Sequence, residues 1–147
     1  MATANGLSMG FEVKNLFFDR KRVIDAVSRA ERQGLSKAGA FVRRRARSSI
    51  RKRKKVSEPG SPPTSHTGLL KRNIFFAYEP KRSGVVIGPV RLNKPGGAPR
   101  LLEVGGTVVR KVGGKRRTLR YRPRPYMGPA LEQEAPNFPN LFKNSVR

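Results

Sequence analysis

The sequence predicts an α+β fold: a long N-terminal helix packed on a small antiparallel sheet, an extended β-hairpin arm and a short C-terminal helix. Three observations predict it. Apolar side chains recur every three or four residues before residue 50, a Gly113-Gly114 pair separates two strand-like segments, and residues 122–125 alternate Arg and Pro. At 147 residues the chain is expected to form a single domain, residues 1–147.

The long helix is predicted over residues 19–53, with Asp19 as its N-cap. Ile24 and Val27 begin its apolar stripe, and Gly34 and Gly39 are positions where it could bend. One stripe contains Leu35, Ala38, Val42, Ala46 and Ile50. The opposite, basic side contains Arg43, Arg44, Arg47, Arg51 and Lys54. The helix is therefore amphipathic, with a cationic outer face.

Segments of less regular sequence flank this helix. Residues 1–10 are expected to form a flexible arm, and residues 11–16 a short strand or extended lead-in. Residues 54–66 are rich in Pro and Ser, which predicts a loop that is either a surface crossing or a mobile extension. Residues 136–147 form a C-terminal extension that packs loosely or docks onto a neighbour.

Short elements follow the loop. One or two helical turns are predicted from Thr67, as the cap, to Ile74, with Leu70 and Ile74 facing inward. Strands are predicted over residues 74–78 and 84–89, the second buried on both faces. A loop over 91–99 then leads to a helical turn over 100–104, which Gly105 and Gly106 end.

Residues 107–121 are predicted to form a hairpin, because Gly113-Gly114 suits a two-residue turn with positive φ at both positions. Its register pairs Val108 with Leu119, Val109 with Thr118, Arg110 with Arg117, Lys111 with Arg116, and Val112 with Lys115. The base is apolar enough to join a sheet. Like charges face each other toward the tip, which destabilises a ladder. This arm is therefore either splayed into solvent or held by something acidic.

The segment after the hairpin is predicted to be a stiff elbow. Pro123 and Pro125 fix φ and keep the chain extended. Gly128 and Pro129 indicate a helix start, with Pro129 at the first helical position of a helix over 130–135. Tyr126 and Met127 are expected in the core.

The formal net charge is +24, from 33 Lys and Arg against 9 Asp and Glu. Such a chain attracts polyanions, so it is either a nucleic-acid binder or an assembly subunit with acidic neighbours. The absence of cysteine excludes disulfides and thiolate metal sites. No apolar run is long enough to cross a membrane, and residues 1–10 do not resemble a signal peptide.

Catalysis is not expected. The only histidine, His66, lies in the Pro/Ser loop, and the acidic residues are scattered without ligand spacing. The Gly113-Gly-Lys-Arg segment is not a phosphate-binding loop, because Val109 stands where the first Gly is required and Arg116 where Ser or Thr is required. We therefore expect no catalytic residue, metal or cofactor.

The basic clusters are the candidate contact sites. The helix residues Arg43, Arg44, Arg47, Arg51 and Lys54 and the hairpin residues Arg110, Lys111, Lys115, Arg116 and Arg117 could face an acidic protein or DNA. No aromatic residue is interleaved with the basic run at 43–55, so a nucleic-acid contact would be directed at the backbone and non-specific.

The order of several short motifs resembles the HK97 gp10-like family of tailed-phage neck and tail-completion proteins. These motifs are Thr67-Gly68-x-Leu70, Val86-Ile87-Gly88, Leu101-Leu102-Glu103-x-Gly105-Gly106-Thr107 and Arg122-Pro-Arg-Pro-Tyr-Met-x-Pro-Ala-Leu131. The resemblance covers about residues 11–135. The residues that carry it, and that are candidates for subunit interfaces, are Thr67, Gly68, Leu70, Glu103, Gly105, Pro123, Pro125, Tyr126 and Pro129.

The resemblance implies a structural virion protein, assembled in the bacterial cytoplasm, that forms a non-catalytic ring between head connector and tail. The ring would be a cyclic homo-oligomer, a hexamer or dodecamer, contacting connector or adaptor and tail proteins and, non-specifically, packaged DNA. The Pro/Ser loop, the basic hairpin tip and the high charge depart from the family pattern. Two alternatives stay open: a tail terminator ring, and a ribosomal-type protein that binds nucleic acid non-specifically.

Overall fold

A computed structural model describes residues 19–90, 98–143 and 145 of the chain. The predicted α+β fold is confirmed, with a long N-terminal helix, antiparallel strand pairs and short C-terminal helices. The predictions for residues 1–10 and 11–16, and for most of the 91–99 loop, lie outside the described residues. The elements are α1 Arg20–Ser49, α2 Leu69–Arg72, β1 Ile74–Glu79, β2 Gly84–Pro89, α3 Ala98–Val104, β3 Gly106–Val112, β4 Lys115–Tyr121, α4 Met127–Glu134 and α5 Phe138–Phe142.

Helix α1 begins as predicted, because Asp19 Oδ1 accepts a hydrogen bond of 3.1 Å from the Arg22 backbone N–H. From Ala38 to Ile50 the predicted apolar stripe is buried. The upstream part of α1 is not buried in this way, since Val23, Ile24 and Val27 are each more than two-fifths exposed. The first turns of α1 therefore extend beyond the elements that cover its second half.

The prediction that α1 continues to residue 53 is wrong. The hydroxyls of Ser48 and Ser49 donate to the carbonyls of Arg45 and Ala46, so side chains satisfy carbonyls of the last turn. Ile50 turns extended and is fully buried, which directs the chain away from the helix axis. Arg51 then pairs with Thr64 in an isolated parallel bridge.

Gly34 and Gly39 do not interrupt the helix; both are buried within α1 and permit close packing. A Cβ atom on Gly34 would overlap the ring of Phe142 in α5. A Cβ on Gly39 would lie 2.8 Å from Val85 Cγ2 and 2.9 Å from Phe76 Cδ2. The glycines therefore allow α5, β1 and β2 to approach α1.

Strands β1 and β2 form an antiparallel pair that packs against α1. Ile74 is fully buried and pairs with Pro89 at one end of the register. The prediction that residues 84–89 are buried on both faces is wrong, because Val86 is 58 % exposed. A pair of strands covered by one helix has only one protected face, so this valine points away from α1.

The predicted hairpin is confirmed in its turn and in every predicted pair of its register. Gly113 and Gly114 have φ of +60° and +80°, as a primed two-residue turn requires. Its base does not join the other sheet, contrary to expectation: in the described residues β3 and β4 pair only with each other. Helix α3, which precedes it, begins at Ala98, two residues before the predicted turn.

The core lies where α1, α2, β1 and α4 meet. Its buried members are Val42, Ala46, Ile50, Leu70, Ile74, Tyr126 and Ala130. Met127 and Phe138 pack against it, so the core positions predicted for Tyr126 and Met127 are confirmed. Helix α5 in the C-terminal extension packs on α1. No helix in the described ranges is long and apolar enough to cross a membrane.

Candidate assembly surfaces and the elbow that positions them

The elbow between the hairpin and α4 is organised by a carboxylate distant in sequence. Glu103 in α3 accepts hydrogen bonds from the backbone N–H groups of Tyr126, Met127 and Gly128, with N–O distances of 2.8 to 3.2 Å. These are donors that the first turn of a helix leaves without a partner, and the negative charge also suits the positive end of the helix dipole. Glu103 is thus a cap supplied by another helix.

This cap explains why the predicted helix start is wrong. Helix α4 begins at Met127, so Pro129 occupies the third helical position and not the first. The third position also lacks an intrahelical partner for its N–H, so proline costs no hydrogen bond there. Capping by Glu103 therefore moves the helix start toward Tyr126, a shift that propensity alone does not predict.

Gly105 connects this cap to the hairpin. It is buried with φ of +72°, and a Cβ there would lie 3.0 Å from both Pro123 Cδ and the Tyr121 carbonyl oxygen. The Arg124 N–H donates to the Leu102 carbonyl, which aligns the elbow with α3. The candidate residues Glu103, Gly105, Pro123, Pro125 and Tyr126 therefore converge on one internal joint.

Tyr126 forms the inner side of that joint and is 1 % exposed. Burial, and to a lesser degree the nearby negative charge of Glu103, raises the pKa of Tyr126 to about 12. The phenol is therefore neutral at physiological pH and acts as a packing residue.

The Pro/Ser loop is a surface crossing that docks onto the elbow. The Gly60 N–H donates to the Pro123 carbonyl at 2.9 Å, and Arg124 Nε donates to the Ser57 carbonyl at 2.9 Å. Pro63 is fully buried, whereas His66 is exposed. Pro123 and Arg124 of the elbow, which are distant from the loop in sequence, thus hold the loop in place.

The Thr67-Gly68-x-Leu70 motif starts α2. The N-cap is Gly68, which has φ of +75°, and not Thr67 as predicted. Thr67 Oγ1 accepts a long hydrogen bond of 3.3 Å from the Leu69 N–H. Leu70 and Ile74 face the core as predicted. This motif is thus a turn that returns the chain to the core.

The predicted basic face of α1 is divided by the fold. Arg43 is partly buried, donates from Nε to the Ile74 carbonyl at 2.8 Å, and lies over the ring of Phe75. It therefore joins α1 to β1 and is not a free contact residue. Arg44 lies over Phe41 and is exposed, while Arg51 and Lys54 lie beyond the helix end.

Sequence reasoning missed one ion pair. Arg45 Nε lies 2.8 Å from Glu134 Oε1, and the Glu134 side chain is only 8 % exposed. The pair joins α1 to the end of α4. The only signals were a basic residue next to the apolar stripe and two acids on α4, Glu132 and Glu134, and neither signal specified the partner.

The hairpin is exposed over most of its length. Every residue from 110 to 118 is exposed, and among the described residues none of its cations forms a salt bridge. Side chains alternate across a strand pair, so Arg110 and Arg117 share one face while Lys111 and Arg116 share the other. The arm is therefore a ribbon that is positive on both faces.

An apolar groove of about 350 Å³ lies between α1, β2, α4 and α5. Leu131 and Phe142 at its edge are 47 % and 37 % exposed. Among the described residues no group of three or more His, Cys, Asp or Glu could hold a metal ion. Comparisons of the chain with family models, curated proteins and solved structures find no match.

Proposed function

We propose that this protein is a structural virion subunit of a tailed bacteriophage, one that forms a ring in the neck and joins the head connector to the tail. The observation that carries the proposal is the hairpin arm. About fifteen residues are ordered in it, yet every residue from 110 to 118 is exposed. Ordering costs about 1 to 2 kcal/mol per residue, which an unsupported ribbon does not recover.

A ring supplies the missing partner. In a cyclic homo-oligomer each subunit presents one surface to the neighbour on one side and a different surface to the other. An arm projecting from an internal joint suits such a contact, because Glu103 and Gly105 set its direction. The confirmed α+β fold agrees with what the family resemblance implies.

The ring would be a hexamer or dodecamer, with connector or adaptor proteins on one side and tail proteins on the other. Its positive arms would lie against acidic surfaces of these partners or against the DNA that passes through. A tail terminator ring is the related alternative, and it differs in lying at the end of the tail tube.

Sedimentation velocity and negative-stain electron microscopy of the purified protein test the proposal. We expect a closed ring, or assembly into one when connector protein is added. Replacing Arg110, Lys111, Arg116 and Arg117 by Ser should abolish it. Replacing Lys81 and Arg82 by Ser, at the exposed β1–β2 connection, should not. A protein that stays monomeric with connector present would contradict the proposal.

Non-specific nucleic-acid binding is the second candidate, and one observation favours it. Both faces of the hairpin are positive, and two-stranded ribbons fit the major groove of DNA. Titration of random duplex DNA against salt tests it. This candidate would be favoured if the protein never forms rings and its affinity for DNA decreases steeply with salt. The salt dependence should then be smaller in the four-residue hairpin variant.

A further inference from the structure

The loop that follows α1 encloses a second basic feature, separate from the arm. A pocket of about 500 Å³ lies between the end of α1 and residues 51–64, within the size range of small-molecule sites. Arg51, Arg53 and Lys55 line it, and Glu58 is the one acid in the lining. Within the described residues none of these three cations forms a salt bridge.

The pocket is built by hydrogen bonds and is not a chance gap in a mobile loop. The Ser65 N–H donates to the Arg51 carbonyl at 3.0 Å, and Thr64 Oγ1 donates to the Lys55 carbonyl at 2.9 Å. These bonds close the basic segment against the far side of the loop. The contacts of Gly60 and Arg124 then fix the loop to the elbow, so the loop that bears the three cations is held in place.

The serines near the pocket offer a ligand no free donor. The hydroxyls of Ser48 and Ser49 already donate to helix carbonyls. The hydroxyl oxygen of Ser57 has no hydrogen-bond partner in the described structure, but it is buried, so a ligand in the open pocket cannot reach it. Recognition in this pocket therefore rests on the three cations.

We propose that this pocket binds a phosphate group. Arginine presents planar pairs of N–H donors that match phosphate oxygens, and lysine adds a point charge. A dianionic or monoanionic phosphate would also relieve the mutual repulsion of Arg51, Arg53 and Lys55. The group could be free inorganic phosphate or a phosphodiester of nucleic acid. The site does not depend on ring assembly, because every residue that forms it belongs to one chain.

Calorimetric titration of the full-length protein with inorganic phosphate tests the site. We expect saturable binding that weakens about tenfold or more in the Arg51→Gln, Arg53→Gln double variant. The Arg110→Gln, Arg117→Gln double variant removes the same charge from the hairpin and should weaken phosphate binding less than about threefold, through long-range attraction only. Equal effects of the two variants, or no saturable binding by the unmodified protein, would overturn the proposal.

A twelve-residue thymidine oligonucleotide distinguishes the two sources of phosphate. If it displaces inorganic phosphate and loses affinity in the Arg51→Gln, Arg53→Gln variant, the ligand is a phosphodiester. If its binding depends only on Arg110 and Arg117 while phosphate still requires the pocket, the ligand is free phosphate. Both results support the site.

Discussion

Glu103 Oε1 lies 2.8 Å from the backbone nitrogen of Gly128, although the two residues are 25 positions apart. Through this carboxylate α3, which precedes the hairpin, caps α4, which follows it. The hairpin projects from the rest of the protein between these two helices. The direction of the arm is therefore coupled to the start of α4. The bonds that Glu103 accepts from three backbone N–H groups thus join the two helices at the base of the arm.

Replacing Glu103 by Ala should lower the free energy of unfolding by about 2 to 3 kcal/mol, because a helix cap is lost and partly buried N–H groups are left unsatisfied. Urea denaturation monitored by circular dichroism measures it. Glu132→Gln, an exposed substitution on α4, is the control and should change stability little. A loss in Glu103→Ala no larger than in the control would show that the cap contributes nothing.

Raising the pH should destabilise the protein between about pH 10 and 12. The pKa of Tyr126 is raised to about 12 in the folded protein, while the unfolded phenol titrates near 10. Below pH 10 both states hold the proton, so the full stability is present. Between 10 and 12 only the unfolded state loses its proton, which costs up to about 2 to 3 kcal/mol.

Absorbance of tyrosinate near 295 nm follows this ionisation. The Tyr126→Phe variant should lose the step near pH 12, and Tyr121→Phe should retain it. The Tyr126→Phe variant should also lose the corresponding part of the alkaline decrease in stability. If the late step persisted in Tyr126→Phe, the raised pKa would belong to another group.

The limits of sequence reasoning in this chain follow from the range of the interactions. The hairpin register is correct because two adjacent glycines, which fix a two-residue turn, are a local signal. The first residue of α4 and the pairing of Arg45 with Glu134 are set by partners 24 and 89 positions away, respectively, and neither has a local pattern. Arg43 illustrates the same limit: its position on the polar side is predictable, but its bond to the Ile74 carbonyl is not.

Gly39 should be intolerant of a side chain. A Val there would overlap Val85 and Phe76 and force β1 and β2 away from α1, at a cost of about 2 kcal/mol. Gly88→Val is the matched control, because a Cβ at Gly88 meets open space and Val favours a strand. Thermal denaturation of both variants measures the difference. Equal melting temperatures would mean that the β1–β2 pair is not held close to α1.

Reversing charge on one strand of the arm should stabilise the arm while abolishing its proposed role. Arg117→Glu and Arg116→Glu each place an acid directly opposite a cation, Arg110 and Lys111 respectively. Each pair should contribute about 0.2 to 1 kcal/mol, so hydrogen exchange at residues 108–119 should slow in the double variant. Ring assembly or polyanion binding should be lost, because only three cations, Arg110, Lys111 and Lys115, then remain at the tip, beside two acids. A variant with slower exchange and unchanged assembly would show that the arm's charge serves only its own folding and that its partners recognise another surface.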